Sequence, residues 1–132
     1  MKKPIADAVE AVRLAFPKLT VNVEELDDGC VWVVLNGVGI GTGWNRSSDD
    51  LRVKLHPTFP DTEPYPFYVA AGLARTDGQQ FAPVQPAVQL DGETWTQVSL
   101  KKNGIAPGTG LLQGEDLGTR IEAVVRWLRS PR

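Results

Sequence analysis

The sequence predicts an α+β fold: a first helix, four short strands in an antiparallel meander, a long irregular segment and a closing helix. Three observations carry that expectation. Apolar residues recur at helical spacing near both ends of the chain. Between the ends they alternate, or run together, in four short stretches. From residue 72 to residue 114 neither pattern persists, and glycine, proline and glutamine punctuate the chain. A chain of 132 residues is expected to fold as one domain, 1–132, with a core large enough to need no staples.

The elements follow in order. Ile5, Val9, Val12 and Phe16 lie on one face of a helix; Pro4 stands in its first turn, where a missing N–H costs nothing, and Pro17 stops it. Val21 and Val23 alternate with Asn22 and Glu24 in a first strand. Asp27-Asp28-Gly29 marks a turn. After it CVWVVLNG, residues 30–37, is apolar on both faces, as a strand in a sheet interior requires.

Glycines at 37, 39, 41 and 43 invite comparison with a phosphate-cradling loop. Such a loop needs GxGxxG or GxxxxGK spacing and must open a helix. Here WNRSSDDLRVKL follows, a polar turn and a strand, so the run reads as a flexible strand connection. Leu51, Val53 and Leu55 then alternate with Arg52 and Lys54 in a third strand, and residues 67–71 make a fourth. At the far end Glu115 and Asp116 sit where the positive end of a helix dipole favours acids. Leu117, Ile121, Val124, Val125 and Leu128 form that helix's apolar face, with Arg120, Arg126 and Arg129 off it.

Composition narrows the function. A net charge of −2 provides no electrostatic footprint for nucleic acid. The longest apolar run, residues 30–35, falls far short of the roughly 20 residues that span a bilayer. Asp7 and Glu10 interrupt what would have to be the apolar part of a signal peptide. The single cysteine precludes an internal disulfide and suits a reducing compartment. A cytoplasmic protein without nucleic-acid or membrane partners is expected, and with no ligand cluster in the sequence no cofactor or metal is expected either.

The stretch that most needs an account is LHPTFPDTEPYPFYV, residues 55–69, between the third and fourth strands. Proline holds φ near −65° and donates no hydrogen bond, so a connection rich in it keeps one shape. Within it, Phe59-Pro60-Asp61-Thr62-Glu63-Pro64 has the form aromatic-Pro-x-x-x-Pro. At this place, in a chain that begins with a helix, it resembles the YPxxxP signature of the ubiquitin-conjugating (UBC-like) fold, which RWD interaction domains share. Leu90-Asp91-Gly92-Glu93-Thr94-Trp95, with Gly114-Glu115-Asp116-Leu117 opening the last helix, resembles a bacterial group of ubiquitin-conjugating-like proteins. The order of elements fits that resemblance across nearly the whole chain.

The resemblance implies a UBC-like fold and a part in conjugating a ubiquitin-like modifier. It implies as partners a ubiquitin-like protein, an adenylating protein like an activating enzyme, and a deconjugating metalloprotease. It also implies a cysteine nucleophile in the irregular segment, because a thiolate forms and releases a thioester readily. No cysteine follows Gly72. Cys30, in the apolar second strand, reads as a small buried hydrophobe. His56-Pro57-Thr58 imitates the family's His-Pro-Asn element but precedes the proline motif instead of following it.

Two readings therefore stay open. A non-catalytic variant would bind through exposed aromatic residues, for which Trp95, Phe81 and Tyr65 are the candidates. Alternatively a hydroxyl replaces the thiol: Ser99 is the residue for an oxyester, with Lys101, Lys102 and Asn103 as nearby polar groups. The alternative from another class is an RWD-type interaction module with no conjugation role.

Overall fold

A computed structural model describes residues 1–64, 66–100 and 116–132. Helix α1 (Lys3–Ala15) leads into β1 (Val21–Glu25), β2 (Val31–Gly39), β3 (Ser48–Leu55) and β4 (Phe67–Ala70); β5 (Val84–Leu90) and β6 (Glu93–Val98) follow, and α2 (Leu117–Arg129) comes last. The strands form one sheet in the order β1-β2-β3-β4-β6-β5, antiparallel at every pairing. The architecture is α+β and compatible with a UBC-like fold. The expected meander of four strands is present, but among the described residues the sheet has six.

The two additional strands correct the reading of the chain from residue 72 as irregular over residues 84–98; residues 101–114 lie outside the described residues. Asp91 and Gly92 have φ of 52° and 80°, and Leu90 pairs with Glu93 across them. Two successive residues at positive φ make the tight turn whose twist suits a hairpin, and Asp-Gly is among its preferred sequences. That dipeptide was the available signal. It was masked because β5 contains Pro86 and a register shift between Gln85 and Val88. As the outermost strand it tolerates both, and shows no clean alternation.

One face of the sheet carries the core. Val33, Leu35, Leu51, Val53, Leu55, Phe67, Val69 and Val98 pack under Ile5, Val9 and Val12 of α1 and Ile121, Val124 and Leu128 of α2. The helices meet closely at Gly118, where a Cβ would stand 2.7 Å from the Ala11 carbonyl oxygen and 3.0 Å from the Ala15 Cβ. Asp116 caps α2: its Oδ1 accepts the Thr119 N–H at 2.8 Å, an arrangement worth about 1 kcal/mol.

Arg120 departs from the helical-wheel expectation. It is buried, 5% exposed, and its Nη2 lies 2.9 Å from Oε1 of Glu63, which is buried as well. Glu63 belongs to the proline motif. The proline-rich connection thus aims a carboxylate into the interior and pins itself to α2, with Phe59 buried in the core beside it and the Phe59–Pro60 peptide cis.

From Gly39 on, the glycine run is a packed seam, where a flexible connection was expected. Gly37, at φ +69°, lies within the irregularity between Leu35 and Val38. Gly41 lies against the backbone of α2, so that a Cβ would fall 3.2 Å from the Arg129 Cα. Arg129 Nε donates to the Gly39 carbonyl at 2.9 Å, and Trp44 Nε1 donates to the Leu128 carbonyl at 2.8 Å. Gly39, Gly41 and Trp44 join the sheet to the end of α2.

Candidate functional site

Cys30 stands at the start of the β1–β2 hairpin's second strand, 4% exposed. Pairing of Val31 with Leu55 brings it beside His56, whose Nδ1 is 3.7 Å from the Cys30 Sγ. Asp28 Oδ1 accepts the Cys30 N–H at 3.0 Å. Burial first, then the hydrogen bond and charge of Asp28, push the thiol pKa up. A nucleophilic thiolate needs the opposite environment, one that lowers it. The cysteine is a small buried group.

Ser99 follows β6 directly. Its N–H donates to the Pro83 carbonyl at 2.8 Å, and its Oγ accepts from Gln97 Nε2 at 2.9 Å. Among the described residues, no imidazole, carboxylate or amine hydrogen-bonds that hydroxyl. Lys101, Lys102, Asn103 and Tyr65 lie outside the described residues.

The remaining aromatic candidates are not brought together. Trp95 lies on the outer face of the sheet, its ring 6.5 Å from that of Trp32, with the Arg52 guanidinium 4.2 Å above it. Phe81 lies on the core side, 6.5 Å from Trp44 and 5.7 Å from Trp127. They mark two separate places, each with an arginine on a tryptophan.

The outer place is a groove of about 510 Å³ floored by Trp32 and Trp95 and bordered by Glu24, Asp28, Asp91 and Glu93. Tyr68 meets Trp32 edge-on at 5.8 Å; burial raises its phenol pKa. Lys54 Nζ is 3.2 Å from Asp91 Oδ2. Burial works against the lysine's charge, but the Asp91 hydrogen bond and charge outweigh it, and its pKa is raised. Strand alternation put Arg52 and Lys54 on this face correctly. Trp32 was hidden inside an apolar run, and Asp91 arrives only through the hairpin turn.

The inner place is a cleft of about 690 Å³ between the chain after β4 and the start of β5, lined by Trp44, Leu73, Arg75, Phe81, Val84 and Pro86 among others. Arg75 spans it, its Cζ 4.9 Å from the Trp44 ring centre and 5.9 Å from that of Phe81. A short ladder holds the walls together: Asn45 N–H donates to the Ala74 carbonyl at 2.8 Å and Thr76 N–H to the Gly43 carbonyl at 2.9 Å. Sequence reasoning passed over Trp44 and Arg75, because nothing local links them.

Among the described residues no group of three or more histidine, cysteine, aspartate or glutamate side chains is placed to hold a metal ion. Among the described residues no helix is long and apolar enough to cross a membrane.

A helix, an antiparallel sheet, a proline-locked connection between its third and fourth strands and a closing helix are compatible with the E2-like class of proteins. The comparison with protein families is more particular. The model of prokaryotic E2 family E matches residues 14–130, so the chain belongs to that family and is a bacterial E2-like protein. No curated protein and no solved structure matches it.

Proposed function

We propose that this E2-like chain serves the conjugation of a ubiquitin-like modifier as a binding member that forms no cysteine thioester. Family membership supports the setting, with a ubiquitin-like protein and an adenylating, activating-enzyme-like protein as partners and a deconjugating metalloprotease acting on the product. The state of Cys30 carries the mechanistic part: the chain's single cysteine is buried at the head of β2 with a raised pKa. Half-buried Trp95, on the open face of the sheet, is the contact for the partner.

Ser99 supports a second reading. It stands where the sheet gives way to the segment in which the family's resemblance puts the nucleophile. Its Oγ accepts from Gln97, which leaves its own proton for a base brought by a partner.

Intact mass of the protein recovered from its native host, before and after mild alkali, separates the readings. The expected result is an unmodified chain with a ubiquitin-like protein co-purifying, and loss of that partner in Trp95→Ala. An alkali-labile adduct absent only in Ser99→Ala would establish the oxyester. A thiol-sensitive adduct absent only in Cys30→Ala would overturn both. Capture of other proteins without any ubiquitin-like protein would favour the interaction module with no conjugation role.

A further inference from the structure

Arg75 is held in a way the fold alone does not explain. Its side chain is 17% exposed, and its Nε is buried with no hydrogen-bond partner among the described residues. The nearest acid, Asp77, is 4.0 Å from Nε, beyond hydrogen-bond reach. The same Asp77 oxygen accepts the Gln79 N–H at 2.9 Å. Aromatic faces attract the guanidinium but do not satisfy directional N–H donors, and a buried charged donor left unsatisfied is costly.

The chain nevertheless makes room for it. A Cβ on Gly43 would run into the Arg75 guanidinium as it now lies, so the guanidinium occupies space that the glycine leaves open. Among the described residues the cleft wall offers apolar Leu73, Ala82, Val84 and Pro86, the amides of Gln79 and Gln80, and no carboxylate. Among the described residues, the one positive charge of this largely apolar wall matches one negative charge on an apolar stem. A guanidinium edge fits a carboxylate through paired N–H bonds. A phosphate dianion would bring a second charge, and among the described residues the cleft wall contains no second cation to meet it. The cleft also runs beside β5, the edge of the sheet, where an extended chain can lie.

We propose that the cleft between the 73–82 loop and β5 is a carboxylate-binding site with Arg75 as the anion receptor. It takes the C-terminal carboxylate of an extended peptide, or a free acid of the same chemistry. The proposal stands independently of the role in conjugation.

The test is a titration of ¹⁵N-labelled protein with three probes: acetyl-Ala-Val-Ala as the free acid, the same peptide as its C-terminal amide, and isovalerate. The acid is expected to shift the amides of Leu73, Phe81 and Val84 at millimolar concentration, and the peptide amide to leave them in place. Arg75→Gln weakens the acid about tenfold or more, as loss of a charge-assisted pair does, and Arg75→Lys falls between. Pro86→Glu, at an exposed rim position, leaves Arg75 in place and weakens binding by supplying a competing carboxylate. This keeps the test open should the arginine variants unfold. Tighter binding of the peptide acid than of isovalerate identifies a chain end as the ligand; equal binding identifies a free acid. Equal shifts from acid and amide, undiminished binding in folded Arg75→Gln, or no shifts at these residues would each overturn the proposal.

Discussion

The two faces of the sheet spend similar residues to opposite ends. On the outer face Arg52 lies over Trp95 in a groove bordered by carboxylates, and Lys54 pairs with Asp91 at the rim. On the inner face Arg75 lies over Trp44 in a cleft with no carboxylate in its wall among the described residues, while Arg120 is buried against Glu63. The residue types match; their surroundings do not. Outside, water reaches Asp91 and screens its pair with Lys54, so that pair contributes little. Inside, the Arg120–Glu63 pair is shielded from water, so removing one member is felt by the whole fold.

The largest expected effect tests this contrast at the buried pair. Arg120→Met alone leaves Glu63 in the interior without this cation and costs about 3–5 kcal/mol, read as a fall in the urea midpoint. Adding Glu63→Leu should recover much of that loss, since an apolar pair of similar volume is tolerated there. No recovery would mean that the proline loop is held to α2 by something other than this pair.

Gly118→Val comes next. The branched side chain would collide with the Ala11 carbonyl, and the helices must separate, at about 1–3 kcal/mol. An unchanged thermal midpoint would show that the helix contact yields more easily than the geometry implies.

Cys30 supplies a pH test. Its pKa is raised in the folded chain, so folding holds the thiol's proton. That stability is present in full below the unfolded cysteine value of about 8.5 and is lost as pH rises through the folded value. The unfolding midpoint should therefore fall across alkaline pH above about 8.5, with a smaller slope in Cys30→Ala. Alkylation of the thiol should follow the same raised pKa.

The smallest effect belongs to the outer rim. Asp91→Asn keeps a residue suited to positive φ but breaks the pair with Lys54, and should cost about 0–1 kcal/mol, less in high salt. A loss comparable to Arg120→Met would erase the distinction between the faces.

How much of this could be read from the amino acids follows the range of each interaction. Periodicity is local, so both helices and the strands β1 to β4 were legible, and so was the burial of Cys30 within an apolar run. The proline motif was legible as a fixed connection with a family likeness. β5 was not, because an edge strand with a proline and a shifted register needs no regular alternation. Arg120 read as lying off the apolar face because a helical wheel knows nothing of Glu63, a carboxylate from a distant loop. Trp95 and Phe81 read as equivalent aromatics until the sheet put them on opposite faces. Arg75 drew no notice at all, since its meaning lies in Gly43, Trp44 and Phe81 closing around it. Local pattern sets which segments become helix and strand; which charges share a cavity is settled only when distant segments pack.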